Sequence, residues 1–219
     1  MNHSNPWAVY EPDKEKPWNL SRVVHLHRRA GFGATWKEIQ RDLKDGINTS
    51  VDRVLKGSSR LSGVPKEFAE TADLLAETSS RNAGRLKAWW IYRMLFGPDP
   101  LTEKLTLLWH NHFATSLVKV QNNAIMKAQN DLFRKHGRAK FATLLNAVLQ
   151  DPALLIWLDA PSNRKGRANE NLSRELMELF TLGIGNYTEK DVKEGARALT
   201  GWTVKGNRFS GYGGFVLDQ

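Results

Sequence analysis

Cysteine is absent from the 219 residues. That excludes a disulfide scaffold, thiolate zinc sites, iron–sulfur clusters and thiol nucleophiles. No stretch approaches the ~18 consecutive apolar residues of a membrane span. Residues 1–20 mix Pro, Trp, Asp, Glu and Lys and lack the apolar core of a secretory signal, which points by default to the cytoplasm. Common catalytic strings are missing as well. There is no G-x-x-x-x-G-K-[ST], no H-E-x-x-H, no G-x-S-x-G and no Glu followed by His three positions on. Gly31 and Gly33 supply two glycines of a dinucleotide fingerprint, but they follow a helical pattern rather than a strand, and the third glycine is lacking.

What is present is a globular composition, 41% hydrophobic and 25% charged, with a net charge of +9. The excess is uneven. Residues 121–168 carry 8 basic against 3 acidic side chains, whereas residues 169–219 carry 6 against 7. A basic middle segment can meet nucleic acid, anionic lipid or an acidic partner. The most specific motif of the chain lies in the near-neutral segment, which argues against nucleic acid as the main partner.

The dominant apolar period is helical, and the fold class it predicts is all-α: an irregular bundle of about nine helices. Pro6, Pro12 and Pro17 mark residues 1–17 as an extended arm. A single helical domain is expected over 18–202. Thr35 with Glu38 forms a capping box for a helix ending before Gly46, and Gly57 closes a short helix near 50–56. Further helices are expected at 66–78, 82–96, 101–114, 119–136, 139–149, 152–158, 169–182 and 188–200. Helix 101–114 is apolar nearly all round, a pattern that predicts burial on every side. The tail, 203–219, interleaves Gly with Phe209, Tyr212 and Phe215 and reads as an irregular segment, either hairpin or loop. Its aromatics call for a cover from a following region or another chain.

Three polar clusters stand out. His110-Asn111-His112 interrupts the apolar helix, and residues two apart point about 200° away from each other, so the two imidazoles cannot share a metal on a regular helix. His112 falls on a stripe with Leu105, Leu108 and Trp109; His110 falls with Glu103 and Thr106. The second cluster is Asn171, Glu175 and Glu178, at i, i+4 and i+7 beside an apolar stripe of Leu172, Leu176 and Leu179. Two carboxylates one turn apart can share a cation or a proton, and desolvation would raise their pKa values. The alternative is an ion-pair network with Arg174, Arg28 or Arg29. The third cluster is His25, Arg28 and Arg29. Arginines in this setting can clamp a carboxylate or phosphate; a helix C-terminus also favours cations for purely structural reasons. His27 takes a core-facing slot.

These clusters carry a resemblance. His25-Leu26-His27-Arg28-Arg29-Ala30-Gly31-Phe32-Gly33 resembles the opening motif of the bacterial family catalogued as domain of unknown function 1800. Leu107 to Thr115 resembles its second motif, and Asn169 to Gly183 its third. The similarity continues through Tyr187–Val192 and Ala198–Trp202. His27 departs from the pattern, which usually has Leu there. Family members are typically longer, so the chain looks like the N-terminal part of one. The resemblance implies a mostly helical bacterial protein, often encoded beside a second family of sulfatase-like proteins, and no established reaction or cofactor.

Two main readings follow. One is an enzyme or cofactor-binding domain whose centre lies where helix 101–114 meets helix 169–182. His110, Glu175 and Glu178 would be its acid/base groups or the ligands of one divalent metal, with Asn111 and Asn171 orienting and Arg28 and Arg29 holding an anionic group. The other is a non-catalytic interaction module that docks a sulfatase-like neighbour or the chain's own C-terminal region. Nucleic-acid binding through 121–168 is a third.

Overall fold

Side-chain caps start most helices where the sequence places them. The Thr35–Glu38 capping box is formed, with Thr35 N–H and hydroxyl donating to Glu38 Oε2 at 2.7 Å. A second box joins Thr188 and Asp191. The computed structural model describes residues 8–57, 64–207 and 211–217. Eleven α-helices and two short strands make the described residues an all-α, multi-helix fold. They divide into two compact units, 1–65 with 98–101 and 66–97 with 102–219, where the sequence reading expected one helical domain over 18–202.

In the first unit, residues 8–17 of the expected arm form neither helix nor strand; residues 1–7 lie outside the described residues. Helix α1 spans Leu20–Ala30 and is capped by the Asn19 side chain. Gly31 follows it in extended backbone, where a Cβ would sit only 3.0 Å from Pro100 Cβ. Helix α2, Trp36–Lys56, is broken at Gly46 (φ 79°, ψ 173°), so the predicted stop before Gly46 and the separate helix closed by Gly57 are both realised.

That break lets α2 fold back on its own charge. Asp42 has no exposed surface. His27 Nε2 lies 2.8 Å from its Oδ2, Arg41 Nε donates to Oδ1 at 3.1 Å, and Arg53 Nη1 donates to the same oxygen. Eleven residues separate Asp42 from Arg53, which on a straight helix would hold them about 16 Å apart. Ser50 Oγ donates to the carbonyls of Gly46 and Asp42, at 2.7 and 3.1 Å, and seals the bend. Core-facing His27 is therefore the α1 ring that meets the buried carboxylate.

In the second unit, α3 (Lys66–Ser79) and α4 (Ala83–Phe96) pair through stacked Phe68 and Tyr92 rings, 5.4 Å apart. Helix α5, Pro100–His112, corrects one expectation. It is not buried on every side: Leu108 is 53% exposed, and Asn111 and His112 are exposed too. The buried stripe is the polar one, Glu103, Thr106 and the half-buried His110, continued by Phe113. It goes inside because Glu103 meets two guanidinium groups there. Arg93 Nε donates to Oε1 at 3.0 Å; Arg134 donates to Oε1 at 2.7 Å and to Oε2 at 3.0 Å. Trp89, itself buried, lies against Arg93, Arg134 and Lys127, with 5.7, 5.2 and 4.6 Å between cation and ring centre.

The expected helix 119–136 is two, α6 (Leu117–Val120) and α7 (Asn123–His136), because left-handed Gln121 breaks the first and Asn122 caps the second. Then come α8 (Phe141–Leu149) and α9 (Pro152–Trp157), and a 3₁₀ turn at Ala160–Ser162. The expected α-helix 169–182 is also divided: α10 covers Asn171–Glu175, and Leu176–Thr181 is π-helical. Helix α11 spans Glu189–Ala198. The core of this unit gathers Phe113, Phe133, Leu144, Leu154, Leu172 and Phe180.

Of the two alternatives for the tail the hairpin is realised, with β1 (Trp202–Asn207) paired antiparallel to β2 (Gly211–Leu217) and a register shift between Val204 and Gly206. Val204 is buried in the core, so the hairpin belongs to this unit. The expectation that Phe209, Tyr212 and Phe215 are uncovered falls on side chains outside the described residues.

Two stability outcomes follow. Gly46→Ala should cost about 1–3 kcal/mol in chemical denaturation, because the backbone there is open only to glycine although a Cβ would meet nothing within 4 Å. Glu103→Gln should cost about 3 kcal/mol, since it strands two guanidinium groups, whereas Glu194, whose ion pair with Arg197 lies at the surface, should give less than about 0.5 kcal/mol on the same change.

Candidate functional site

The predicted His110–Glu175–Glu178 centre does not assemble as a metal site. No group of three or more His, Cys, Asp or Glu side chains among the described residues is placed to hold a metal ion. His110 faces α4 and α7 instead. Its ring meets Trp90 edge-on at 5.1 Å and Phe133 at 6.2 Å, and burial pushes its pKa down. Its Nδ1 is buried without a hydrogen-bond partner, as is Trp90 Nε1. His112 is the imidazole that reaches the third motif, with Nε2 3.1 Å from the Phe180 carbonyl.

The π-helical turn explains why the carboxylates differ from expectation. The i, i+3 reasoning assumed 3.6 residues per turn, but Leu182 N–H donates to the Met177 carbonyl, an i→i+5 bond. Glu178 is half-buried and accepts from Tyr187 Oη at 2.7 Å, which raises the pKa of that phenol. Arg174 is spent on Glu189 and Glu170 rather than on Glu175 or Glu178. Asn171 donates from Nδ2 to the Leu158 carbonyl at 3.2 Å and so ties α10 to the end of α9; Asn111 is exposed.

The third cluster fares differently. Arg29 and His25 line a cleft of about 1120 Å³ in the first unit, and Arg28 does not. Arg22 joins them. Positions 22, 25 and 29 form one face of α1, at i, i+3 and i+7. All three are exposed, and none is in an ion pair among the described residues; Arg22 stacks its guanidinium over Tyr10, 4.9 Å from the ring centre. The facing wall is the second half of α2, from Ile47 to Lys56, which presents Asn48, Thr49 and Val51. Of the other charges lining the cleft, Asp52 is paired with Lys56 at 2.7 Å, and Arg53 is spent on Asp42 and Asp45. The free charge of the cleft is thus the α1 row. Arg22 lies outside the cluster of His25, Arg28 and Arg29 that the sequence singles out; the 22/25/29 spacing is the signal that would have found it. The aromatic members Tyr10 and Trp18 carried no such signal, because they precede α1.

Asp151 is a buried acid that the sequence reading missed. It caps α9, accepting from Leu154 N–H at 3.0 Å and from Gln129 Nε2 at 2.6 Å, while Gln129 Oε1 accepts from Thr115. Burial pushes its pKa up to about 7.

The chain matches the family described as "Protein of unknown function (DUF1800)" over residues 25–219. No curated protein matches it. No solved structure matches it.

Asp151 generates a pH prediction. Its folded pKa, about 7, lies above the ordinary 3.8, so between those values the folded state binds the extra proton. Stability should be greatest below pH 3.8 for this group, fall as pH rises toward 7, and level off above it. Asp151→Asn should flatten that slope in denaturation curves taken at pH 4.5 and 7.5; an unchanged slope would show that the group does not carry it.

Proposed function

The chain belongs to the DUF1800 family, and from that premise we propose that its first unit is a binding module for an anionic ligand. The observation that carries this reading is the row of Arg22, His25 and Arg29, without an ion-pair partner among the described residues and facing a cleft whose other charges are paired with one another or with Asp42 and Asp45. Two guanidinium groups with an imidazole between them share one helix face, and among the described residues no carboxylate is paired with them to relieve their charge. An incoming anion does. Arginine suits this role because its planar fork donates two parallel hydrogen bonds to a carboxylate or phosphate.

Ligand binding here asks for no metal and no cofactor. His110, Glu175, Glu178, Asn111 and Asn171 take no part in it, and Arg28 contributes only to the surrounding positive field. Asp42 supports the site indirectly, by holding α1 through His27 and the second half of α2 through Arg53.

Calorimetric titration of the whole chain with inorganic phosphate tests the reading. Saturable binding should weaken as salt rises. The Arg22→Gln/Arg29→Gln double variant should fold as the parent does and bind at least about tenfold more weakly. Binding that is absent at low salt, or indifferent to the double substitution, would end the proposal.

A further inference from the structure

The cleft holds more information than the sign of its charge. We infer that its ligand is an organic diphosphate, with two linked phosphoryl groups on the α1 row and an apolar body against the floor. This rests on the anion-binding reading above and goes beyond it in naming the chemical class.

The row sets the number of anionic groups. Residues three and four apart on a helix have Cβ atoms about 5–6 Å apart, so Arg22, His25 and Arg29 extend over about 10 Å. A single carboxylate engages one guanidinium fork and leaves the rest of the row uncompensated. A terminal phosphoryl group has three acceptor oxygens and a charge near −2, so it can accept from two neighbouring side chains at once, and a phosphoryl group linked to it adds two more free acceptor oxygens and a further negative charge. Two linked phosphoryl groups match the two steps of the row. Asn48 and Thr49, on the opposite wall, add neutral hydrogen-bonding groups.

The aromatic side chains set the character of the body. Trp18 donates its indole N–H to the Asp42 carbonyl at 3.0 Å, and Tyr10 donates its hydroxyl to the Lys16 carbonyl at 2.9 Å. Both polar handles are therefore used internally; the Trp18 ring is left with apolar surface to offer, while the Tyr10 face carries the Arg22 guanidinium. Leu26, Ile47 and Val51 line the same cleft. At about 1120 Å³ it is at the upper end of small-molecule sites, far larger than a lone inorganic anion needs. A charged row beside an apolar floor fits an amphiphilic anion. The body could be a flat base, as in a nucleoside diphosphate, or an aliphatic chain, as in a prenyl diphosphate; both share the diphosphate.

Competitive titration of the full chain separates these possibilities. The probes are orthophosphate, pyrophosphate, glutarate, a nucleoside diphosphate and a prenyl diphosphate. Pyrophosphate should bind about tenfold more tightly than orthophosphate, and one organic diphosphate should gain about another tenfold. Arg29→Gln should erase the preference for pyrophosphate, and Val51→Thr should reduce only the gain from the body. Which organic probe gains identifies the body as planar or aliphatic. Equal binding of orthophosphate and pyrophosphate, tighter binding of glutarate, or no gain from either body would overturn the diphosphate assignment while leaving an anion site. Failure of every anion to bind would remove both.

Discussion

A carboxylate with no exposed surface must be surrounded by donors, and in the first unit everything is arranged around that requirement. Asp42 draws His27 from α1, Arg41 from its own turn and Arg53 from the far side of the Gly46 bend. Its carbonyl, at the same point in the chain, takes the indole N–H of Trp18. One residue thereby fixes both walls and one aromatic edge of the cleft. Removing one partner from such a centre is costly because the remaining charges stay buried.

The second unit solves the same problem with different parts. Glu103 is gripped by Arg93 and Arg134, whose guanidinium groups also lie against Trp89. Here the anion comes from α5 and the cations from α4 and α7, so the ion cluster joins three helices. Farther along, Asp151, Gln129 and Thr115 form a hydrogen-bonded chain with little net charge. Both units thus place carboxylates inside together with their partners, while several leucines remain outside.

This inversion marks where sequence reading succeeds and where it stops. Caps are local: Thr35 with Glu38, Thr188 with Asp191 and the glycine stops at 46 and 57 all stand where short-range chemistry puts them. The all-α class and the family motifs were equally legible. The face of α5 was not, because a pattern that is apolar nearly all round assigns Leu108 to the interior along with every other side. Only the distant Arg93 and Arg134 reverse that. The α-helical spacing of Glu175 and Glu178 failed for a related reason, since nothing in the letters announces a π-helical turn at Leu176–Thr181. At the cleft, the arginine–histidine row was legible as a periodic pattern, but its opposite wall depends on how α2 folds back.

The bend at Gly46 has a further consequence. Arg53 reaches across it to Asp42, so the ion pair acts as a clasp on the angle between the two halves of α2. The second half forms one bank of the cleft, and the clasp therefore sets the width of its mouth. A ligand whose fit depended on that width would be thermodynamically coupled to the clasp, each felt in equal measure by the other.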